Sequence, residues 1–265
     1  PLRFDAGRVG LRLLKETLYW AALLIIVALV LIPFYWLVIT SVKIPREVMS
    51  DPVVFFPSTL SFENFRRVMN IAGVWGFVLN SLVVSTGSTA AAVFLGSMAA
   101  YALARFRFPG ATFLLLLFIA TMMVPEEAIM VPLFLLLKQL NLLNSYLGMI
   151  LPVVPWGFSV YMLTEFFREI PREIEESALM DGCSPTAIFL KIILPLARPA
   201  LGAVLIFSFI MTWDQFVIPL LVVSDASLAT LPLGLANMVH EAGENHTLLA
   251  ASTTLGTIPV LVVFL

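Results

Sequence analysis

The chain is poor in what a soluble enzyme relies on. Charged residues are only 12% of its 265 positions, where soluble domains carry about 25%. It has a single cysteine, Cys183, which excludes an intrachain disulfide framework. With no histidine or second cysteine near it in sequence, Cys183 reads as a small side chain rather than a redox thiol. The two histidines, His240 and His246, share one loop and lack cysteine partners at ligand spacing, so no metal site is expected. The four lysines are followed by Glu16, Ile44, Gln139 and Ile192. No G-x-x-x-x-G-K-[ST] phosphate loop exists, and this chain cannot hold ATP in that way. A net charge of −2 leaves no footprint for nucleic acid. No paired histidine, metal or serine–base constellation points to an enzyme.

What fills the chain is apolar. Hydrophobic residues reach 60%, and mean hydropathy is +1.01. A water-soluble core of this length could not hide that surface, so the bilayer is the natural solvent. Six runs are long enough for the roughly 20 residues that a crossing helix requires: 17–41, 74–104, 111–137, 147–167, 200–222 and 248–265. The expectation is an all-α polytopic membrane protein, one domain over 1–265. The first run, Thr17 to Thr40, exceeds the ~7–15 residues of a signal core and has no small-residue cleavage site after it, so it reads as a retained anchor. The last run stops at Leu265 without a polar flank, which reads as a missing C-terminal tail; the start at Pro1 likewise suggests a trimmed N-terminus.

Cation bias sets orientation. With the N-terminal segment 1–16 in the cytoplasm, inner segments carry Arg3, Arg8, Arg12, Lys15, Arg105, Arg107, Arg168, Arg172, Lys191 and Arg198. Outer segments carry Lys43, Arg46, Arg66, Arg67 and Lys138, and 223–247 has neither Lys nor Arg. The second run is rich in small residues such as Ser85, Ser88, Ala92, Gly96 and Ala100, which let helix backbones approach closely. Pro33, Pro125, Pro132, Pro152, Pro155, Pro219 and Pro259 interrupt the others, each removing an amide donor and bending or unwinding its helix. The freed carbonyls then face protein or a water-filled cavity. Between the first two runs, Ser61 offers a cap for a short helix over 62–70.

One polar stretch breaks the pattern. Segment 168–199 contains ESALMDGCSPTAIFLKIILP at 176–195. Pro171 suits the first turn of a helix running to Leu179. Gly182 can take a left-handed turn. Ser184 can cap a second helix, with Pro185 in its first turn and Ile188, Phe189, Ile192 and Ile193 at helical spacing. Pro195 and Pro199 then break it. The product is a helix–turn–helix elbow along the membrane face. Leu179 and Met180 would form its apolar tip, and Glu176 and Asp181 could meet basic groups on a partner. The plainer alternative is a helix that only rests on lipid. Such helices favour Lys and Arg on the polar face, whereas Glu169, Glu173, Glu175, Glu176 and Asp181 outnumber Arg168 and Arg172 here.

The pattern Glu176, Ala178, Asp181, Gly182, Ile192, Leu194 and Pro195 closely resembles the EAA loop of ABC-type import permeases. The chain is similar to the second permease subunit of the maltose-type, carbohydrate-uptake branch of that family. Further pieces carry the likeness: Ser41 and Lys43; Asn80-Ser81; Ala99-Ala100-Tyr101-Ala102 with Arg105, Phe108, Pro109 and Gly110; Phe166-Phe167 with Ile170 and Pro171; and Trp213 with Phe216. Ser177 and Cys183 replace alanines of the pattern, both small; Asp214 stands where that branch usually has asparagine. The resemblance implies a type I importer permease fold in a prokaryotic cytoplasmic membrane. It implies a second permease, a pair of ATPase subunits holding ATP and Mg, and an extracytoplasmic solute-binding protein as partners. It also implies coupling through 168–199, with Glu176, Ala178, Leu179, Met180, Asp181, Gly182, Ile192, Leu194 and Pro195 facing the ATPase.

Polar groups inside the apolar runs are the pathway candidates, because burying them is expensive. They are Asn80, the Glu126-Glu127 pair after Pro125, and Trp213-Asp214-Gln215. The last three offer an aromatic face, a carboxylate and an amide, the groups that bind sugars. Structural roles stay open: the glutamates could cap the turn at Pro125, and Asp214 could hold a buried hydrogen bond. Glycerol phosphoesters, polyamines and peptides are the alternative cargoes. Phosphate would want cations in the spans. An ion-driven secondary transporter would show inverted repeats, and none is visible.

Overall fold

The computed structural model describes residues 6–264 apart from 49, 51, 53, 71–72, 155–156 and 243–244, and describes no side chains for 6–14 or 239–242. Arg3 and Pro155, and the side chains of Arg8, Arg12 and His240, therefore lie outside the described residues. Helices α1 (Ala6–Ser41), α2 (Pro45–Val48), α3 (Glu63–Asn70) and α4 (Val74–Arg105) come first. Next are α5 (Ala111–Thr121), α6 (Glu126–Gln139), α7 (Tyr146–Ile150) and α8 (Gly157–Glu169). The polar stretch holds α9 (Arg172–Met180), α10 (Pro185–Ile188) and α11 (Leu194–Leu196). Then follow α12 (Arg198–Trp213), α13 (Val217–Val222), α14 (Leu231–Ala242) and α15 (His246–Phe264). The described residues contain no strand.

Among the described residues, three helices are long and apolar enough to cross a membrane alone: Lys15–Ser41, Val74–Arg105 and His246–Phe264. Three bent pairs qualify together, giving up to six spans. Bends were expected in these runs from their prolines, and the described residues show them. The third run turns by 103° between α5 and α6, and the fourth by 45° between Tyr146–Val153 and α8. The fifth run ends at Trp213 and resumes at Val217. The 223–247 loop is not bare, because α14 occupies half of it.

Prolines explain only part of this. At the third run, Met122 and Met123 N–H groups donate three residues back, to Ile119 and Ala120, so the helix tightens before Pro125 starts α6 in extended conformation. Pro33, Pro132 and Pro259 sit inside unbroken helices, against the expectation that each would bend or unwind its run. The break at 214–216 contains no proline. There Gln215 Oε1 accepts the Val217 N–H at 3.1 Å and so starts α13.

The described chain forms two compact units: residues 1–70 with 242–255, and 71–241 with 256–265. In the first, α1 carries exposed apolar side chains from Leu18 to Val38. Its end is fixed by polar bonds. Asn64 on α3 donates to the carbonyls of Ser41 (2.9 Å) and Lys43 (2.8 Å), and Thr247 donates to Asn64 Oδ1. Lys43 is buried, with its ammonium bonded to the Val54 carbonyl and placed 4.2 Å from the Trp36 ring centroid. The capped helix expected at 62–70 is α3, with Ser61 Oγ accepting the Glu63 N–H at 3.4 Å.

In the second unit α4 is the central post, packed against α8 and α12. The small residues supply the contact: a Cβ added at Gly96 would come 3.0 Å from Ser159 Oγ on α8. The approach of α8 to α5 is closer still, since a Cβ at Gly157 would lie 2.1 Å from the Phe118 carbonyl oxygen. Only glycine fits there.

Candidate functional site

Two regions of the second unit collect the candidate residues. The first is the elbow. Helix α9 ends because Gly182 takes φ +81°, the left-handed position that a glycine fills without strain. Cys183 N–H then reaches back to the Ala178 carbonyl and Gly182 N–H to that of Leu179, both at 3.0 Å, so the last carbonyls of α9 are satisfied. Ser184 starts α10, its Oγ accepting the Ala187 N–H at 3.3 Å, with Pro185 in the first turn.

Beyond α10 the helix does not break at Pro195, as the sequence suggested. Phe189–Ile193 is wound one residue wider, with Leu194 N–H donating to the Phe189 carbonyl. The wider turn accommodates a residue without an amide proton. The chain instead turns at Ala197, by 78° into α12, and Pro199 occupies the first turn of α12.

Ala178, Ile188, Phe189 and Ile193 pack into one apolar cluster with Ala100, Tyr101, Leu163 and Phe167. Ile192, Leu194 and Cys183 lie partly buried at its edge. The opposite face points away. Met180 is 88% exposed, the highest value among the exposed large apolar side chains of the described residues, and Leu179 is 51% exposed. Glu176 and Asp181 flank them, also exposed.

Polar contacts at the root of the elbow escaped sequence reasoning. The Arg105 guanidinium at the end of α4 forms a buried ion pair with Glu175. It also donates to the Ile170 carbonyl at 2.9 Å, and Tyr101 Oη donates to Glu175 Oε2 at 2.8 Å. These residues are up to 74 positions apart, and no local pattern links them.

The second region is a cavity of about 530 Å³ bounded by α4, α5, α6, α8 and α12. Phe118, Met122, Val124 and Met211 supply apolar wall; Ser88, Ser208, Glu126 and Gln215 supply polar groups. Gln215 Nε2 donates to Glu126 Oε1 at 2.8 Å, joining the break at 214–216 to the break at 122–125. Glu127 and Asp214 are exposed. The Ser88 and Ser208 hydroxyls are buried and have no hydrogen-bond partner among the described residues. Among the described residues, no Lys or Arg lines the cavity.

Two pathway candidates lie elsewhere. Asn80 is buried and fully engaged: its amide donates to the carbonyls of Ser227 (2.8 Å) and Ala229 (2.9 Å), and its oxygen accepts from Tyr146 Oη (2.6 Å). With Ser81 Oγ accepting the Leu231 N–H at 2.7 Å, it straps the 227–231 segment to α4. Trp213 offers no open face for a ring. It is 3% exposed, stacked on Phe209 at 5.7 Å, and donates Nε1–H to the Gly256 carbonyl at 3.1 Å.

Comparison with known proteins places this architecture. Residues 92–265 match the family described as binding-protein-dependent transport system inner membrane component. An arabinooligosaccharides transport system permease protein of Halalkalibacterium halodurans is 34% identical over 236 residues, covering 88% of this chain and 85% of that protein. An sn-glycerol-3-phosphate transport system permease protein of Salmonella typhi is 30% identical over 247 residues, covering 91% and 86%. The fold superimposes on a chain of a bacterial ABC transporter involved in import of the acidic polysaccharide alginate, with TM-score 0.84, 22% identity and coverage of 100% and 97%.

Proposed function

The chain belongs to the family of binding-protein-dependent transport system inner membrane components, and from that premise we propose that it is one permease subunit of an ATP-driven importer for a sugar or oligosaccharide. The elbow is the coupling element. ATP and Mg are held by a separate ATPase, and this chain performs no catalysis. The N-terminus and the elbow face the cytoplasm, as the Lys and Arg distribution favours. A second permease completes the pore, and a solute-binding protein delivers cargo on the opposite side.

The observation that carries this reading is the elbow's two-sidedness. One face is locked into the bundle, while the tip presents Leu179 and Met180 to solvent beside Glu176 and Asp181. Exposed apolar side chains at a fixed, acid-rimmed tip make sense against a partner groove. When the ATPases close, they would move the two elbows together and open the pore outward; their separation would return it inward.

The substrate pathway includes the cavity with Glu126, Gln215 and the exposed Glu127 and Asp214. Amide and carboxylate groups within an apolar wall suit sugar hydroxyls and C–H faces. Glycerol phosphoesters are the second reading, favoured by the sn-glycerol-3-phosphate relative. The absence of Lys and Arg from the cavity lining weighs against it.

Reconstitution tests the reading. Uptake of a labelled oligosaccharide into proteoliposomes should require the ATPase, the second permease and the binding protein together. Uptake by this chain without the ATPase, driven by an ion gradient, would overturn it.

A further inference from the structure

We propose that Arg105, Tyr101 and Glu175 form a latch that makes the elbow and α4 move as one body, so that cutting it leaves ATP hydrolysis running while cargo movement fails. The inference rests on the coupling role proposed for the elbow and identifies how motion leaves it.

The elbow touches the bundle in two ways. The apolar cluster around Ile188, Phe189 and Ile193 holds it in place, but apolar attraction is non-directional and by itself sets no angle between α9 and α4. The Arg105–Glu175 pair is directional. Its side chains are only 6% and 13% exposed. The Arg105 fork reaches two elements at once, the Glu175 carboxylate on α9 and the Ile170 carbonyl at the end of α8. Tyr101, one turn back on α4, donates to the same carboxylate, so Glu175 is held from two points. One guanidinium therefore pins the ends of α4 and α8 to the first turn of α9. Arginine suits this, being planar and always charged.

The pinned helix leads to the cavity. Ser88 lies on α4, 17 residues before Arg105, or roughly 25 Å along the helix, and lines the cavity wall. Between them run the small-residue contacts with α8 and α12. A push on Met180 displaces α9; with the latch closed, α4 follows and the cavity wall moves. With the latch cut, α9 can swing against the apolar cluster while α4 stays behind. A pair kept only for stability would give a different outcome: the complex would fall apart and both activities would decline together.

The test uses the full complex in proteoliposomes with loaded binding protein, recording cargo imported per ATP hydrolysed. Glu175→Gln and Arg105→Gln should assemble and hydrolyse ATP within about twofold of wild type, with cargo per ATP down about tenfold, the scale of one hydrogen bond to a charged group. Tyr101→Phe, which removes one donor without disturbing packing, should lower the ratio by about threefold. The double reversal Arg105→Glu with Glu175→Arg should recover most of the ratio lost by either reversal alone. Met180→Asp at the tip is the reference for the coupling reading itself. If Met180→Asp weakens ATPase association and the latch variants keep a wild-type ratio, the latch fails and coupling stands. If Met180→Asp also has no effect, the coupling reading falls first. Parallel loss of assembly, hydrolysis and import in the single variants, with no recovery on reversal, would likewise overturn the latch.

Discussion

The elbow and the cavity are built by opposite means. The elbow is organised by neighbours in sequence: a glycine in a left-handed turn, a serine cap and a proline in a first turn, all within 182–185. The cavity is organised by partners far apart, Gln215 on Glu126 across 89 positions, and its wall includes serine hydroxyls with no partner. A part that receives force gains from local rigidity. A part that passes cargo gains from breaks that can rearrange. The difference suggests a stiff lever acting on a yielding chamber.

The largest expected effect tests the stiffness. Gly182→Pro forces φ to about −65° where +81° is needed, and should abolish uptake and ATPase association. Gly182→Asn tolerates the left-handed region and should keep uptake near wild type. Equal loss in both variants would mean that backbone conformation is not what the turn contributes. Next is Met180→Asp. Burying a charge where an apolar anchor docks should weaken ATPase association by about 2 kcal/mol, near 30-fold. Thermal unfolding of the isolated permease should be unchanged, because the side chain is exposed.

At the cavity the effects should be smaller and of another kind. Gln215→Ala removes both the acceptor of the Val217 N–H and the bond to Glu126. At about 1 kcal/mol for the bond to Glu126, the one that joins the two breaks, transport kinetics should shift by roughly fivefold with assembly intact. Asp214→Ala, at an exposed carboxylate, should change cargo affinity or rate by about twofold and leave the complex assembled. A collapse of the complex in either variant would erase the contrast between lever and chamber.

Legibility follows the same division. The elbow could be read from sequence because its signals are local: Ser184 before Pro185, and Gly182 after a run of helix formers. Its wide turn was not legible, since nothing at Phe189–Ile193 marks an added residue; only the structure shows Pro195 passing without a break. At the cavity, polarity inside an apolar run singled out Asp214 and Gln215 as pathway candidates; that the helix ends at Trp213 was not foreseen. That Asn80 would strap the 227–231 segment, or Trp213 stack on Phe209, was not legible, because those contacts are fixed by tertiary packing across distant segments.

The wide turn at Phe189–Ile193 has a further consequence for length. In an α-helix each residue advances the azimuth by about 100°. Deleting one residue there would wind the turn back to ordinary pitch and rotate everything downstream, so that a different side of α12 would meet α4. Phe189 and Ile193 of that turn are fixed in the apolar cluster, and a change in residue count there would re-aim the wall of the chamber.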